Sequence, residues 1–261
     1  MAYSIVILIL TLQCMSAVTG LSLGNMYPYP HDGITGPDDQ LMSRTLDGSS
    51  PVISFTFPFY DNVYNTIYVN NNGHLSFTGS YSVYIPLEFP ISIPLVSLFW
   101  MDADTRTTGQ VWYKLTNDSA LLNRAKTDIV TLYDNQITFQ PTKLFTATWL
   151  DVPYWQAVGS DATKRNTFQV VLVTDGVISF AMFHYQKIEW AGYADNATKA
   201  IVGFNAGDGV NSYTVNSSDY TDVINLEQKS NTGVPGKFIF RVDGYTIQPA
   251  GSTGKYTKYT G

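Results

Sequence analysis

From Val52 onward the chain consists of short runs in which apolar and polar residues alternate, separated by clusters of turn-forming residues. A period of two places every second side chain on one face of a strand, so that one face can be buried. Many such runs in succession predict an all-β sandwich or barrel. Besides the hairpins, the predicted strands are residues 53–57, 95–101, 111–115, 145–150, 200–204 and 237–242. Residues 95–101 are apolar except for Ser97, as expected of a strand covered on both faces.

Two hairpins are predicted from their turn residues. Asn70-Asn71-Asn72-Gly73 separates the apolar runs 66–69 and 74–77. Asp175-Gly176 separates residues 168–173 from residues 178–185. Asn-Gly and Asp-Gly pairs tolerate positive φ, which tight hairpin turns require.

One segment departs from strand periodicity. Between Ser119 and Tyr133 the apolar residues recur at helical spacing, and Asn117, Asp118 or Ser119 is positioned to cap the start. We therefore predict one amphipathic helix over about residues 118–134, packed on a sheet. The expected fold is mainly β, a single-domain antiparallel sandwich-like architecture with that one helix.

The first twenty residues indicate the compartment. Residues 5–12 form an apolar run, and Val18-Thr19-Gly20 supplies small or modest side chains for cleavage. This run is shorter than the roughly 20 apolar residues that span a bilayer. Residues 1–20 are therefore predicted to be a signal peptide, residues 21–244 the folded domain, and residues 245–261 a flexible Tyr/Lys/Thr/Gly tail. The one cysteine, Cys14, lies in the predicted signal peptide, so no thiol chemistry is expected of the mature protein.

Charge and glycosylation sequons narrow the range of partners. The formal net charge is −6 and only 14% of residues are charged, which argues against nucleic acid and anionic membranes as partners. No later stretch is long and apolar enough for a membrane span, so no membrane insertion is expected. Three N-glycosylation sequons agree with secretion, and their acceptors are Asn117, Asn196 and Asn216.

Asp102 and Asp104 are the carboxylates of greatest chemical interest. Residues two apart on a strand point to the same face, so the two acids could form a calcium site or an acid/base pair. Calcium takes about six to eight oxygen ligands, and the surrounding sequence supplies no complete ligand loop. The favoured interpretation is a strand end with Arg106 as ionic partner.

Other catalytic signatures are absent from the sequence, which contains no nucleophile elbow, zinc-protease helix, P-loop or dinucleotide fingerprint. The three histidines lie far apart in sequence, at His31, His74 and His184. We therefore expect no enzyme and no cofactor.

Tryptophan is expected mainly in the core, because most of the five tryptophans stand within apolar runs. Tyr154-Trp155 is the exception, since it follows Pro153 and precedes Gly159. This pair is predicted to be loop-borne and to act as an exposed aromatic anchor for a partner.

Several segments, in order, resemble the nidogen-type extracellular (NIDO) domain family. They are MYPY (26–29), IYVNNNG (67–73), FW (99–100) with DADTR (102–106), FQVVLVTDG (168–176), AIVGFNAGD (200–208) and VPGKF (234–238). The resemblance covers about residues 26–244. It implies a β-rich domain of matrix and cell-surface proteins, with a role in adhesion or extracellular assembly and no catalytic residues to carry over.

The leading hypothesis is a secreted, non-enzymatic matrix or cell–matrix adhesion module. Its expected partners are matrix or cell-surface proteins, or a second copy joined through an exposed edge strand. One alternative is a lectin-like, carbohydrate-binding sandwich that uses Tyr154 and Trp155 with nearby Asp151. The other is a secreted hydrolase that uses Asp102 and Asp104.

Overall fold

The computed structural model describes residues 20–31, 34–133, 137–192, 198–215 and 222–252. Within these ranges the chain forms thirteen strands and one α-helix. The first six strands are β1 (Gln40–Leu41), β2 (Ile53–Phe59), β3 (Asn62–Asn70), β4 (His74–Ser76), β5 (Leu95–Trp100) and β6 (Gln110–Thr116). After helix α1 (Ser119–Leu132) follow β7 (Lys143–Val152), β8 (Asn166–Thr174), β9 (Ser179–Ile188), β10 (Ile201–Asn205), β11 (Ser212–Thr214), β12 (Lys237–Arg241) and β13 (Gln248–Pro249).

The strands make two antiparallel sheets. One has seven strands in the order β1-β6-β7-β8-β9-β12-β13, and the other has six in the order β11-β10-β5-β4-β3-β2. A shared hydrophobic core joins side chains of both sheets. The predicted mainly β, sandwich-like architecture is confirmed.

Aromatic side chains dominate the core between the sheets. Phe55, Phe57 and Phe59 alternate along β2, and each is at most 1% exposed. The ring of Phe183 on β9 stacks on Phe204 of the opposite sheet, with the ring centroids 5.1 Å apart. Residues of β5 are buried on both faces, as the sequence predicted.

Helix α1 covers part of the outer face of the seven-stranded sheet. It begins where predicted, because the Asp118 carboxylate accepts a hydrogen bond from the Leu121 N–H at 2.9 Å. Ala125 and Ile129 on its inner side pack in a second apolar cluster with strand residues such as Val171. The amphipathic helix is confirmed, with slightly tighter bounds than predicted.

The N-terminal strap, residues 21–31, lies on the same outer face beside α1. The Gln169 side chain accepts from the Tyr27 N–H at 2.8 Å and donates to the Tyr27 carbonyl oxygen at 2.9 Å. The Tyr27 ring stacks on His184 at 5.8 Å, and the Arg124 guanidinium lies 4.1 Å above it. A buried amide, an imidazole ring and a guanidinium group thus bind a segment that has almost no regular structure.

Both predicted hairpins are confirmed. Asn70 pairs with His74 across the first turn, and Thr174 pairs with Ser179 at the second. At Gly73, φ is +83°, and a Cβ there would lie 2.0 Å from the Phe99 carbonyl oxygen. Only glycine permits this close approach of β4 to β5.

Ordered structure continues beyond Gly244, where the sequence analysis placed the start of a flexible tail. Gln248–Pro249 pairs with β12, and Ile247 and Ala250 are buried. Local composition missed this strand because its two residues depend on the neighbouring strand for pairing. Residues 253–261 and the predicted signal peptide, except Gly20, lie outside the described residues. None of the described helices has the length and apolar character needed to cross a membrane.

Candidate interaction surfaces

Asp102 and Asp104 follow the end of β5 but differ in environment. Asp102 is 3% exposed, and its backbone carbonyl accepts from the Trp155 N–H at 3.0 Å. Asp104 accepts from the Arg106 guanidinium at 2.9 and 2.8 Å, and these hydrogen bonds lower the pKa of its carboxyl group. The Arg106 partner predicted from sequence is present. Among the described residues, no group of three or more His, Cys, Asp or Glu side chains is arranged to hold a metal ion.

The predicted exposure of the Tyr154–Trp155 pair is wrong for Tyr154. Tyr154 is 4% exposed, and its hydroxyl donates to Asp161 Oδ2 at 2.7 Å. Burial, together with this hydrogen bond, raises the pKa of Tyr154 to about 12. A β-bridge between Ala103 and Tyr154 draws the loop onto the end of β5, so the ring faces the core. Trp155 is half-buried.

Asn117 lies in the exposed turn between β6 and α1, which is accessible to a glycan. Its glycosylation stays a prediction. Asn196 and Asn216 lie outside the described residues.

The proline-rich loop, residues 78–94, carries an apolar rim that faces solvent. The exposed fractions of its rim residues are Val83 38%, Tyr84 43%, Ile85 45% and Leu87 45%. Contiguous exposed apolar residues of this kind mark interaction sites more often than isolated ones do. Sequence periodicity did not indicate this loop as a contact surface, although its prolines at 86, 90 and 94 argue against a central strand and were the available signal.

The backbone of this loop is held by side chains of the six-stranded sheet. Asn205 on β10 donates to the carbonyl oxygens of Ile91 and Ile93 at 2.8 and 2.7 Å, and accepts from the Ile91 N–H at 2.9 Å. Trp100 on β5 donates its indole N–H to the Val83 carbonyl oxygen at 2.7 Å. The apolar rim is therefore presented on a fixed backbone, which lowers the entropic cost of binding a partner.

The hairpin at β3 and β4 anchors the other end of the loop. His74 is fully buried, and its Nε2 lies 2.6 Å from the Tyr81 carbonyl oxygen. Burial lowers the pKa of His74 to about 4. Asn70 accepts from the Tyr81 N–H at 3.1 Å, and Asn72 donates to the Ser82 carbonyl oxygen at 3.3 Å. Asn70 and Asn72, predicted from sequence as turn residues, thus also hold the loop, together with His74.

Comparison with known proteins identifies relatives over most of the chain. The family model described as the nidogen-like domain matches residues 65–244. Alpha-tectorin of Gallus gallus is 34% identical over 242 residues, which cover 88% of this chain and 11% of that protein. Alpha-tectorin of Mus musculus is 35% identical over 238 residues, covering 86% of this chain and 11% of that protein.

A more distant relative is Nidogen of Drosophila melanogaster, which is 29% identical over 194 residues, covering 70% of this chain and 14% of that protein. The chain thus spans only about a tenth of the length of the alpha-tectorins that it matches. No solved structure gives a significant match. The family model and the alpha-tectorin identities agree with the resemblance found in the sequence: this chain belongs to the nidogen-like domain family.

Proposed function

We propose that this chain is a secreted, non-enzymatic extracellular-matrix or cell–matrix adhesion module that acts through protein–protein contacts. Residues 1–20 direct secretion, and the sequons at Asn117, Asn196 and Asn216 carry N-glycans. The contact surface is the apolar rim of the proline-rich loop, and the partner is a matrix or cell-surface protein.

The exposed rim on a fixed backbone is the observation on which the proposal rests. Ile85 and Leu87 are each 45% exposed, and covering the exposed part would be favourable by about 1 kcal/mol each, somewhat under half of the value for complete burial. Buried polar side chains hold the backbone beneath them, so binding need not order the loop. Membership in the nidogen-like family supports a matrix role.

The edges of the sheets argue for a side-chain surface over edge-to-edge pairing. The outermost strands β1 and β13 have two residues each, and β11 has three. The remaining outermost strand, β2, contains Pro58, which lacks a backbone N–H. Short edges and proline both limit pairing with another sheet.

Solid-phase binding of the purified, glycosylated protein to a panel of matrix proteins, including the protein itself, tests this function. We expect saturable binding to at least one member of the panel. The double variant Ile85→Ser, Leu87→Ser should weaken that binding at least tenfold, because both apolar contacts are lost.

Val177→Ser is the matched control, because Val177 is 62% exposed in a turn of the other sheet. This variant should bind as the parent does. Binding that the loop variant and the control retain equally would contradict the assignment of the loop. Binding to no panel member by a protein with native circular dichroism would contradict the matrix proposal.

A further inference from the structure

A groove of about 460 Å³ lies on the outer face of the seven-stranded sheet, between β6–β9 and the N-terminal strap. Helix α1 covers one part of this face and Tyr27 of the strap covers the next. The groove lies next to the strap on this face. Its volume lies in the range of about 300–1,000 Å³ typical of ligand sites.

Two irregularities in strand pairing lie at the floor of the groove. The β7–β8 register shifts between Trp149 and Val152, and the β8–β9 register shifts between Thr167 and Phe168. Asp151, within the first bulge, has φ of +49°, a backbone conformation that residues other than glycine rarely adopt. Bulges re-aim side chains and are frequent next to functional sites, and local strain of this kind concentrates there.

The strained residue lines the groove and presents a paired donor and acceptor. Asp151 Oδ1 lies 2.8 Å from the ammonium nitrogen of Lys187. Asp151 Oδ2 accepts no hydrogen bond from the described residues, and the Lys187 ammonium has further N–H groups to donate. A carboxylate oxygen beside an ammonium group matches two adjacent hydroxyls, one of which donates while the other accepts.

Aromatic and amide groups complete the lining. Trp112 is half-buried, and its indole N–H donates to Gln110 Oε1 at 3.2 Å, which orients the ring. The side chain of Gln186 makes no hydrogen bond within the described part of the chain. A half-exposed indole offers an apolar plate for the C–H face of a sugar ring, and the free amide groups suit its hydroxyls.

The charged side chains that line the groove indicate which class of hydroxyl-rich ligand fits it. Among the described lining residues, Lys187 is the one Lys or Arg, and it is paired with Asp151. The described lining therefore offers no unpaired ammonium or guanidinium group to a sulfated or phosphorylated ligand. From this lining we infer that the groove binds a neutral oligosaccharide, with Trp112 under a sugar ring and Asp151, Lys187 and Gln186 bound to its hydroxyls.

This inference retains the carbohydrate alternative of the sequence analysis but moves it away from Tyr154 and Trp155. It is independent of the proposed protein contact, because the proline-rich loop lies on the other sheet. The test is binding of the purified, glycosylated protein to an array of neutral N-glycan and O-glycan fragments, with sulfated glycosaminoglycan fragments and peptides printed alongside. Retention of a neutral glycan is expected.

Substitutions separate a ligand site from a structural one. Trp112→Ala and Gln186→Ala should each weaken retention of the glycan at least tenfold. Asp151→Gly should abolish retention while leaving the melting temperature unchanged or raised, because glycine relieves the positive φ. Asp61→Gly is the matched control: Asp61 has φ of +56° in the β2–β3 turn, outside the groove, and its variant should retain the glycan fully.

Three results would overturn the inference. They are retention of no neutral glycan by the folded protein, retention of sulfated fragments or peptides only, and glycan retention that Trp112→Ala and Asp151→Gly leave unchanged. Variants that lose glycan binding should keep matrix-protein binding. The Ile85→Ser, Leu87→Ser double variant should lose matrix-protein binding and keep glycan binding.

Discussion

At the scale of single residues, Gly73 is a position where the fold tolerates little change. The Asn-Gly turn signal predicted its place in a hairpin turn, but it did not predict the contact of Gly73 with β5. The glycine carbonyl accepts from the backbone N–H groups of both Leu98 and Phe99, at 3.1 and 3.0 Å. A turn motif predicts positive φ, whereas contact with a strand some 25 residues away depends on the assembled sheet.

Gly73→Ala is expected to lower the free energy of unfolding by about 3 kcal/mol or more, as measured by urea titration. The added Cβ would meet the Phe99 carbonyl oxygen at 2.0 Å and would occupy a φ of +83°. Gly176→Ala should cost about 1 kcal/mol, because that site has positive φ but open space. Equal losses for the two variants would show that the approach to β5 is unimportant.

Tyr154 shows where residue-level reasoning fails. Its neighbours Pro153 and Gly159 correctly indicated a loop, and loops usually lie at the surface. Burial was decided by the bridge to Ala103, about fifty residues earlier in the chain. No local pattern carries that information. The same holds for Asp151, whose strain arises from a bulge between two strands.

At the scale of elements, strands and helix followed from periodicity, whereas the proline-rich loop did not. Alternation predicted β2 and the hairpins, and helical spacing predicted α1, because each buries one face of its own element. The loop lacks any period, and its order comes from Asn205, more than a hundred residues later. Sequence alone does not show that the rim residues are exposed, because their exposure depends on how Trp100 and Asn205 hold the inner side of the loop.

Asn205→Ala should make the loop susceptible to proteolysis. The change leaves the Ile91 N–H and the Ile91 and Ile93 carbonyl oxygens without the amide partner, a loss of about 1–3 kcal/mol. Limited proteolysis followed by mass spectrometry should find cleavage within residues 78–94. Asn231→Ala is the control, since Asn231 holds the backbone of Ile239 in the same two-sided manner in the other sheet. Cleavage that is equally fast in both variants would contradict a local anchoring role.

At the scale of the whole molecule, the two outer faces of the sandwich are covered differently. The loop covers the six-stranded sheet over His74 and Trp100, while α1 and the strap cover the seven-stranded sheet over His184. Each covering buries one histidine completely. Both imidazoles have lowered pKa values, chiefly because burial disfavours the charged form.

Acid should therefore destabilise the fold. In the unfolded chain a histidine binds a proton near pH 6.5, whereas folded His74 does so only near pH 4. Stability is then complete above about pH 6.5 and is lost as the pH falls toward 4. His74 alone would account for about 3 kcal/mol at pH 4, with His184 adding in the same direction.

Urea unfolding at a series of pH values from 7.5 to 4.5 measures this effect. The urea concentration at the unfolding midpoint should fall as the pH falls. A midpoint that does not change over this range would contradict neutral, buried imidazoles.

The two hydrogen bonds between the Gln169 side chain and the Tyr27 backbone also bear on the order of assembly during synthesis. The ribosome makes the strap first, but the amide that binds its backbone is 142 residues further on. Nascent chains that have not yet reached β8 must carry Tyr27 and its neighbours unprotected, open to chaperones in the compartment where folding occurs. Closure of this face is therefore a late event, and a translational pause before Gln169 would prolong the exposed state.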